Sequence, residues 1–228
     1  MRLWTKWLNF SNARRLSTAS LLALSLVVSP VVTDQVTAAQ PKALSILAKL
    51  AIKGRAPKTG YDRALFSDGW GQIGNCDTRN YILARDLKSV TWRYSPACTV
   101  ATGVLNDPYT GAKINFVRGV GSSNAVQIDH VVAVSDAWQK GAQKLSSSQR
   151  YNFYNDPLNL LAVDGPTNGQ KSDSDAASWL PPRKAFRCPY VARQIAVKYK
   201  YGLWVTQAER DAMAKVLSSC PAQQTPAG

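Results

Sequence analysis

The stretch Ala125-Val126-Gln127-Ile128-Asp129-His130, followed later by Leu158-Asn159-Leu160 and by Thr167-Asn168-Gly169-Gln170-Lys171, decides how this chain is read. Ala125 to Asp129 is rich in β-formers and is predicted to be a strand. Leu158 to Val163 is a second, apolar strand bounded by Pro157 and by Asp164-Gly165-Pro166, and a helix is predicted to begin near Thr167. Strand, strand and helix thus bring one carboxylate, one imidazole and two amides into one small unit. His130 is the only histidine in 228 residues. A single imidazole excludes zinc proteases of the H-E-x-x-H type and every metal site built on paired histidines. A Ser-His-Asp hydrolase is excluded as well, because no G-x-S-x-G elbow is present and the nearest carboxylate is the sequence neighbour of the histidine.

The chemistry available to these residues is phosphodiester hydrolysis. That reaction needs a base for water, a cation to hold the phosphate and stabilise the leaving oxygen, and positive charge to gather a polyanion. His130 can be the base, since an ordinary imidazole has a pKa of about 6.5. Adjacent strand residues point to opposite faces, so the Asp129 carboxylate lies across the strand from the imidazole. Asp129 and Asn168 offer the oxygens a hard divalent ion prefers, with water and substrate completing its shell. The chain carries 28 Lys and Arg against 14 Asp and Glu, a net charge of +14, which favours a nucleic-acid partner. Arg79 and Arg85 on one predicted helix are candidate phosphate contacts. So are Arg183, Lys184 and Arg187, which lie near Trp179 and Phe186 in sequence.

Asp-His, then Asn-Leu-Leu on a return strand, then Asn-x-x-Lys on a helix resembles the ββα-metal core of HNH endonucleases. The wording is similar to secreted bacterial HNH proteins related to the GmrSD restriction-enzyme C-terminal domain. The core covers residues 125 to 175, and the wider resemblance runs from Gly54 to Cys220 through Gly54-Arg55-Ala56-Pro57-Lys58-Thr59-Gly60-Tyr61, Cys76-Asp77-Thr78-Arg79-Asn80 and the segment from Asp173 to Pro182. The resemblance implies a metal-dependent endonuclease acting on DNA ahead of RNA, with His130 as general base and Asp129 and Asn168 as metal ligands. It further implies that Asn159 braces the hairpin or orients the imidazole, and that Lys171 points at phosphate. Many HNH proteins end the metal set on histidine. Asn168 at that position favours Mg²⁺ or Mn²⁺ over Zn²⁺. The gap from His130 to Asn159 is long for a hairpin, and a pair of helices within Val132 to Tyr154 accounts for it. The alternative is a non-catalytic exported protein that binds nucleic acid or the cell envelope through its basic surface.

Outward from this core, residues 1 to 39 read as an export signal. Arg2, Lys6, Arg14 and Arg15 precede an apolar run from Leu16 to Val32, and small residues follow it, with cleavage expected after Ala38 or Ala39. Removing four cations and Asp34 leaves a strongly basic chain, expected to be a secreted or extracytoplasmic bacterial monomer without stable membrane association. Residues 40 to 220 are predicted to be one α+β domain, with Pro41 to Lys53 helical, a helix capped by Asp77 or Thr78 running to Leu87, and strands at Ser89 to Arg93, Cys98 to Thr102 and Lys113 to Arg118. That first capped helix is expected to turn Tyr81, Ile82 and Leu87 inward. Residues 221 to 228 are expected to be a disordered tail.

Cys76, Cys98, Cys188 and Cys220 are an even number in an exported chain, so two disulfides are expected among three connectivities. The helical hairpin at the C-terminus selects one. Pro189 to Tyr201 ends at Gly202, and Thr206 to Ser219 opens on a Thr206-x-x-Glu209 capping box, so the helices are antiparallel and their far ends meet. Cys188 and Cys220 stand at those ends and pair, which leaves Cys76 for Cys98.

Overall fold

The computed structural model describes residues 40–94 and 98–227; the predicted export signal lies outside the described residues. The described chain holds seven α-helices and seven strands in three small antiparallel sheets, an α+β arrangement. At its centre β6 (Val126–His130) pairs with β7 (Leu160–Asp164) in the register Val126↔Asp164 to His130↔Leu160, and α5 (Gly165–Lys171) follows β7 directly. Asp164 caps α5 by accepting from Thr167 N at 2.9 Å, and Pro166 occupies its first turn, where a missing N–H costs nothing. Gly165 is required at the junction, because a Cβ there would lie 2.0 Å from the Asn124 carbonyl oxygen.

Both faces of this hairpin are covered. Val131, Leu161 and Val163 enter a core with Tyr190, Val191 and Ile195, while Val126, Ile128, Leu160 and Ala162 enter another with Ile82, Leu83 and Phe116. Burial on both sides is why Leu160 to Val163 is an unbroken apolar run rather than an alternating one. The insertion between β6 and β7 contains α3 (Val134–Gln139) and α4 (Ser147–Asn155), as the long gap requires. Ser146 and Gln149 form a reciprocal capping box that starts α4. A three-stranded sheet, β3 (Leu87–Trp92), β4 (Val100–Asn106) and β5 (Lys113–Val117), precedes the hairpin in sequence. Before it lies α2 (Thr78–Asp86), capped by the Asp77 side chain, which accepts from Asn80 N. α2 buries Ile82 and Leu83, but Tyr81, expected inside, is exposed. A two-residue ladder between β1 (Gln72–Ile73) and β2 (Cys76–Asp77) has no counterpart in the sequence reading.

At the C-terminus α6 (Arg187–Lys200) and α7 (Gln207–Ser218) form the predicted hairpin, and Gly202 ends the first at a φ of 62°. Cys188 bonds Cys220 with Cα atoms 6.5 Å apart, and Cys76 bonds Cys98 at 5.0 Å, both as expected. Each bridge contributes on the order of 2 to 4 kcal/mol by restricting the unfolded chain.

Two expectations fail at the ends. α1 spans only Ala43–Leu47, because Lys53 N donates to Val205 O and Val205 N donates to Ala51 O, which draws the following residues into extended pairing. The tail is also not free. Ala43 N donates to Gln223 O at 2.8 Å, Thr225 N donates to Pro41 O at 3.0 Å, and Thr225 is buried. Backbone groups that a short first helix leaves unpaired are thus satisfied by the last residues. Among the described residues no helix is long and apolar enough to cross a membrane.

Candidate active site

The His130 end of β6, the residues that follow it and α5 at Asn168 border a cleft of about 340 Å³ lined by Tyr61, Arg63, Asp129, His130, Ser135, Asn168 and Asp173 among others. His130 is 5% exposed at the end of β6. Its ring stacks on Trp70 with centroids 5.7 Å apart and planes within 7°, and it lies 4.4 Å from the Tyr154 ring. The Tyr154 carbonyl is 2.8 Å from Nε2. A carbonyl only accepts, so Nε2 carries the proton and Nδ1 holds the lone pair. Burial, with the charge of Arg63 second, lowers the imidazole pKa to about 3 against the opposing pull of that carbonyl. The ring is therefore neutral at pH 7.

Asp129 faces the other way, as strand alternation predicts, and both its oxygens are engaged. Lys171 Nζ donates to Oδ1 at 2.8 Å, and the Tyr109 hydroxyl donates to Oδ2. Tyr109 is fully buried against Trp179, Phe186 and Tyr190; burial first, then the Asp129 charge, push its phenol well above the usual value. Tyr109 is not among the site residues the sequence suggests. Nothing local marks it, since its partner is 20 residues away. Asn168 donates its amide to Gln127 Oε1 at 2.9 Å, which turns Oδ1 to the opposite side; among the described residues no donor reaches that oxygen.

Asn159 is fully buried and holds the backbone just after His130. Its Oδ1 accepts from Val132 N at 2.9 Å and its amide donates to Val132 O at 3.3 Å. It braces the chain after β6 rather than touching the imidazole.

The predicted phosphate contacts lie outside the lining of the cleft. Lys171 is fully buried, tied to Asp129 and to the His130 carbonyl at 3.0 Å, because α5 packs its last turn onto β6. Arg79 donates to the Ser123 and Val126 carbonyls, and Arg85 to Asp86 and the carbonyls of Pro157 and Leu160. Arg187 donates to Pro181 O, and Lys184 and Arg187 line a separate groove with Lys215. The Arg183 side chain lies against Gly111. None of Arg79, Arg85, Arg183, Lys184 and Arg187 lines the cleft.

Beside the site is a buried ion network that sequence reading missed. Lys140 Nζ lies 2.7 Å from oxygens of Asp136, Asp175 and Glu209. Lys198 bridges Asp136 and Glu209, while Arg55 reaches Asp136 and Asp175. Three cations meet three carboxylates, so the charge balances. Glu209 was read as half of a capping box. Thr206 does cap α7, accepting from Glu209 N at 3.2 Å, but the Glu209 carboxylate points into this network.

The sequence pattern of the GmrSD restriction endonucleases, C-terminal domain, matches residues 77–216. An uncharacterized secreted protein of Arthroderma benhamiae is 34% identical over 207 residues, covering 90% of this chain and 98% of that one. That relative is fungal, so the bacterial setting expected from the resemblance is without support. No solved structure matches the chain.

Proposed function

From its place in the family of GmrSD restriction endonuclease C-terminal domains, to which this chain belongs, we propose that it is a secreted, metal-dependent endonuclease that hydrolyses phosphodiester bonds of DNA. The observation that carries the reading is His130: a neutral imidazole whose Nε2 is fixed by a carbonyl, leaving Nδ1 with its lone pair, on a residue that lines the cleft with Asp129 and Asn168. Nδ1 takes a proton from water as the water oxygen bonds to phosphorus and the bond to the leaving oxygen breaks. Trp70 and Tyr154 hold the ring for that transfer, and Asn159 fixes the chain behind it. The strand, strand, helix order of β6, β7 and α5 is the one an HNH core requires.

The donor set fits a hard cation. Asn168 Oδ1 is open, and each Asp129 oxygen keeps a second lone pair beyond its bond to Lys171 or Tyr109. Among the described residues no group of three His, Cys, Asp or Glu side chains is placed to hold a metal ion, and the oxygen donors of Asp129 and Asn168 favour an ion that completes its shell with water and phosphate, Mg²⁺ or Mn²⁺, over zinc. Such an ion, when bound by Asp129 and Asn168, would neutralise phosphate charge and stabilise the leaving oxygen. The Lys171 ammonium beside Asp129 opposes cation binding, so tight binding is expected only with the phosphate present.

Plasmid nicking with Mg²⁺ or Mn²⁺, and with EDTA after metal stripping, tests the reading. Asn168→Ala is expected to lower metal affinity and rate together, with partial rescue by excess metal, since one oxygen ligand of several is lost. Full activity in EDTA would reject the metal. Folded protein that cuts neither DNA nor RNA would reject the nuclease and leave the non-catalytic binding protein. The secreted relative and the two disulfides support work outside the cytoplasm.

A further inference from the structure

With Lys171, Arg79 and Arg85 committed to internal acceptors, the cleft needs another cation for its substrate, and Arg63 is in place. Arg63 borders the cleft together with Asp129, His130 and Asn168 and is exposed. Its Nε and Nη2 donate to the Tyr154 hydroxyl at 3.3 and 3.1 Å, and its guanidinium carbon lies 4.9 Å from the centroid of the Tyr154 ring. Tyr154 therefore holds two groups at once, the imidazole through its carbonyl and the guanidinium through its hydroxyl and ring. Among the described residues no carboxylate pairs with Arg63. Its neighbours are different: Arg55 is bound to Asp136 and Asp175, and Lys58 to Asp173 at 3.4 Å. The fork is thus pinned along one edge and uncompensated in charge, on a residue that lines the cleft with Tyr61 beside it. A planar guanidinium fixed in this way matches the oxygens of a phosphate.

We infer that Arg63 grips the phosphate to be cut and that Tyr154 positions it; the inference rests on the nuclease reading and deepens it. Arg63 gives its donors to the non-bridging oxygens, whose charge grows as the water oxygen bonds to phosphorus, and it takes no part in proton transfer. The contact comes from the segment before residue 77, so it lies outside the part of the chain that the family pattern matches.

The test compares wild type, Arg63→Ala, Arg63→Lys and Tyr154→Phe for kcat on plasmid DNA, with thermal melts as the folding control. Oligonucleotide Kd is measured in the His130→Ala background with and without Arg63→Ala. Removing one such donor is expected to lower kcat about 100-fold while the melt is unchanged. Kd should move by less than about threefold, because the interaction strengthens in the transition state. Arg63→Lys should recover part of the loss, and Tyr154→Phe should lower kcat about tenfold with Arg63 intact. Unchanged kcat in Arg63→Ala, or a weaker Kd with unchanged kcat, would overturn the inference while leaving the nuclease standing. A folded wild type that cuts no nucleic acid would overturn the nuclease reading itself.

Discussion

His130→Ala is expected to lower plasmid cleavage by about a thousandfold, the middle of the range a positioned base supplies. No other group can substitute. Asp129 is held by Lys171 and Tyr109 across the strand, and the chain has no second histidine. The substitution also leaves the Tyr154 carbonyl without its donor and Trp70 without its stacking partner, at a cost of about 1 to 3 kcal/mol. The melting temperature should therefore fall by several degrees while the fold survives. Circular dichroism alongside the nicking assay separates the two effects. A folded His130→Ala protein that nicks DNA at the wild-type rate would show that this imidazole is not the base.

Lys140→Met carries the largest expected loss of stability. The lysine is fully buried among Asp136, Asp175 and Glu209, and its removal leaves three carboxylates facing only Lys198 and the half-exposed Arg55. Breaking a buried network by taking one partner costs about 3 to 5 kcal/mol, which is on the order of 10 °C in melting temperature for a domain of this size. A drop of under a degree or two would mean that water reaches the site.

The same network sets acid stability. Burial acts to raise the Asp175 pKa, but its bond to Lys140 and the charges of Lys140 and Arg55 outweigh that and hold it at about 2. A folded value below the unfolded 3.8 means stability that is complete above pH 4 and drains as the pH falls towards 2. Acid unfolding of the wild type should fall in that window, and in Lys140→Met it should begin at higher pH. Circular dichroism against pH reads both.

The helices were legible because their signals are local. Asp77, Ser146, Asp164 and Thr206 each cap a helix by accepting from a backbone N–H three residues on, a bond that needs no tertiary partner. The cysteine pairing was legible for a related reason, since two helices of similar length on a short connection bring their ends together whatever surrounds them. The order of Asp129, His130, Asn159 and Asn168 was legible as a motif, and the hairpin and α5 bring three of the four to one cleft. Asn159 stays behind it.

What the residue types could not reveal is where long side chains end. Lys171 in Asn-x-x-Lys reads as a phosphate contact, yet burial against β6 turns it onto a carboxylate 42 residues away. Glu209 reads as a cap and is drawn into a charge network with Lys140, 69 residues distant. Arg63 carried no motif, and it reaches the cleft only because Tyr154, 91 residues on, offers it a hydroxyl and a ring. Caps and strand alternation are set by contacts within a few residues, so the sequence by itself determined them. The partner of each lysine, arginine and glutamate was decided by tertiary packing, because a long flexible charged side chain has no local preference strong enough to offset the cost of burying its charge unpaired.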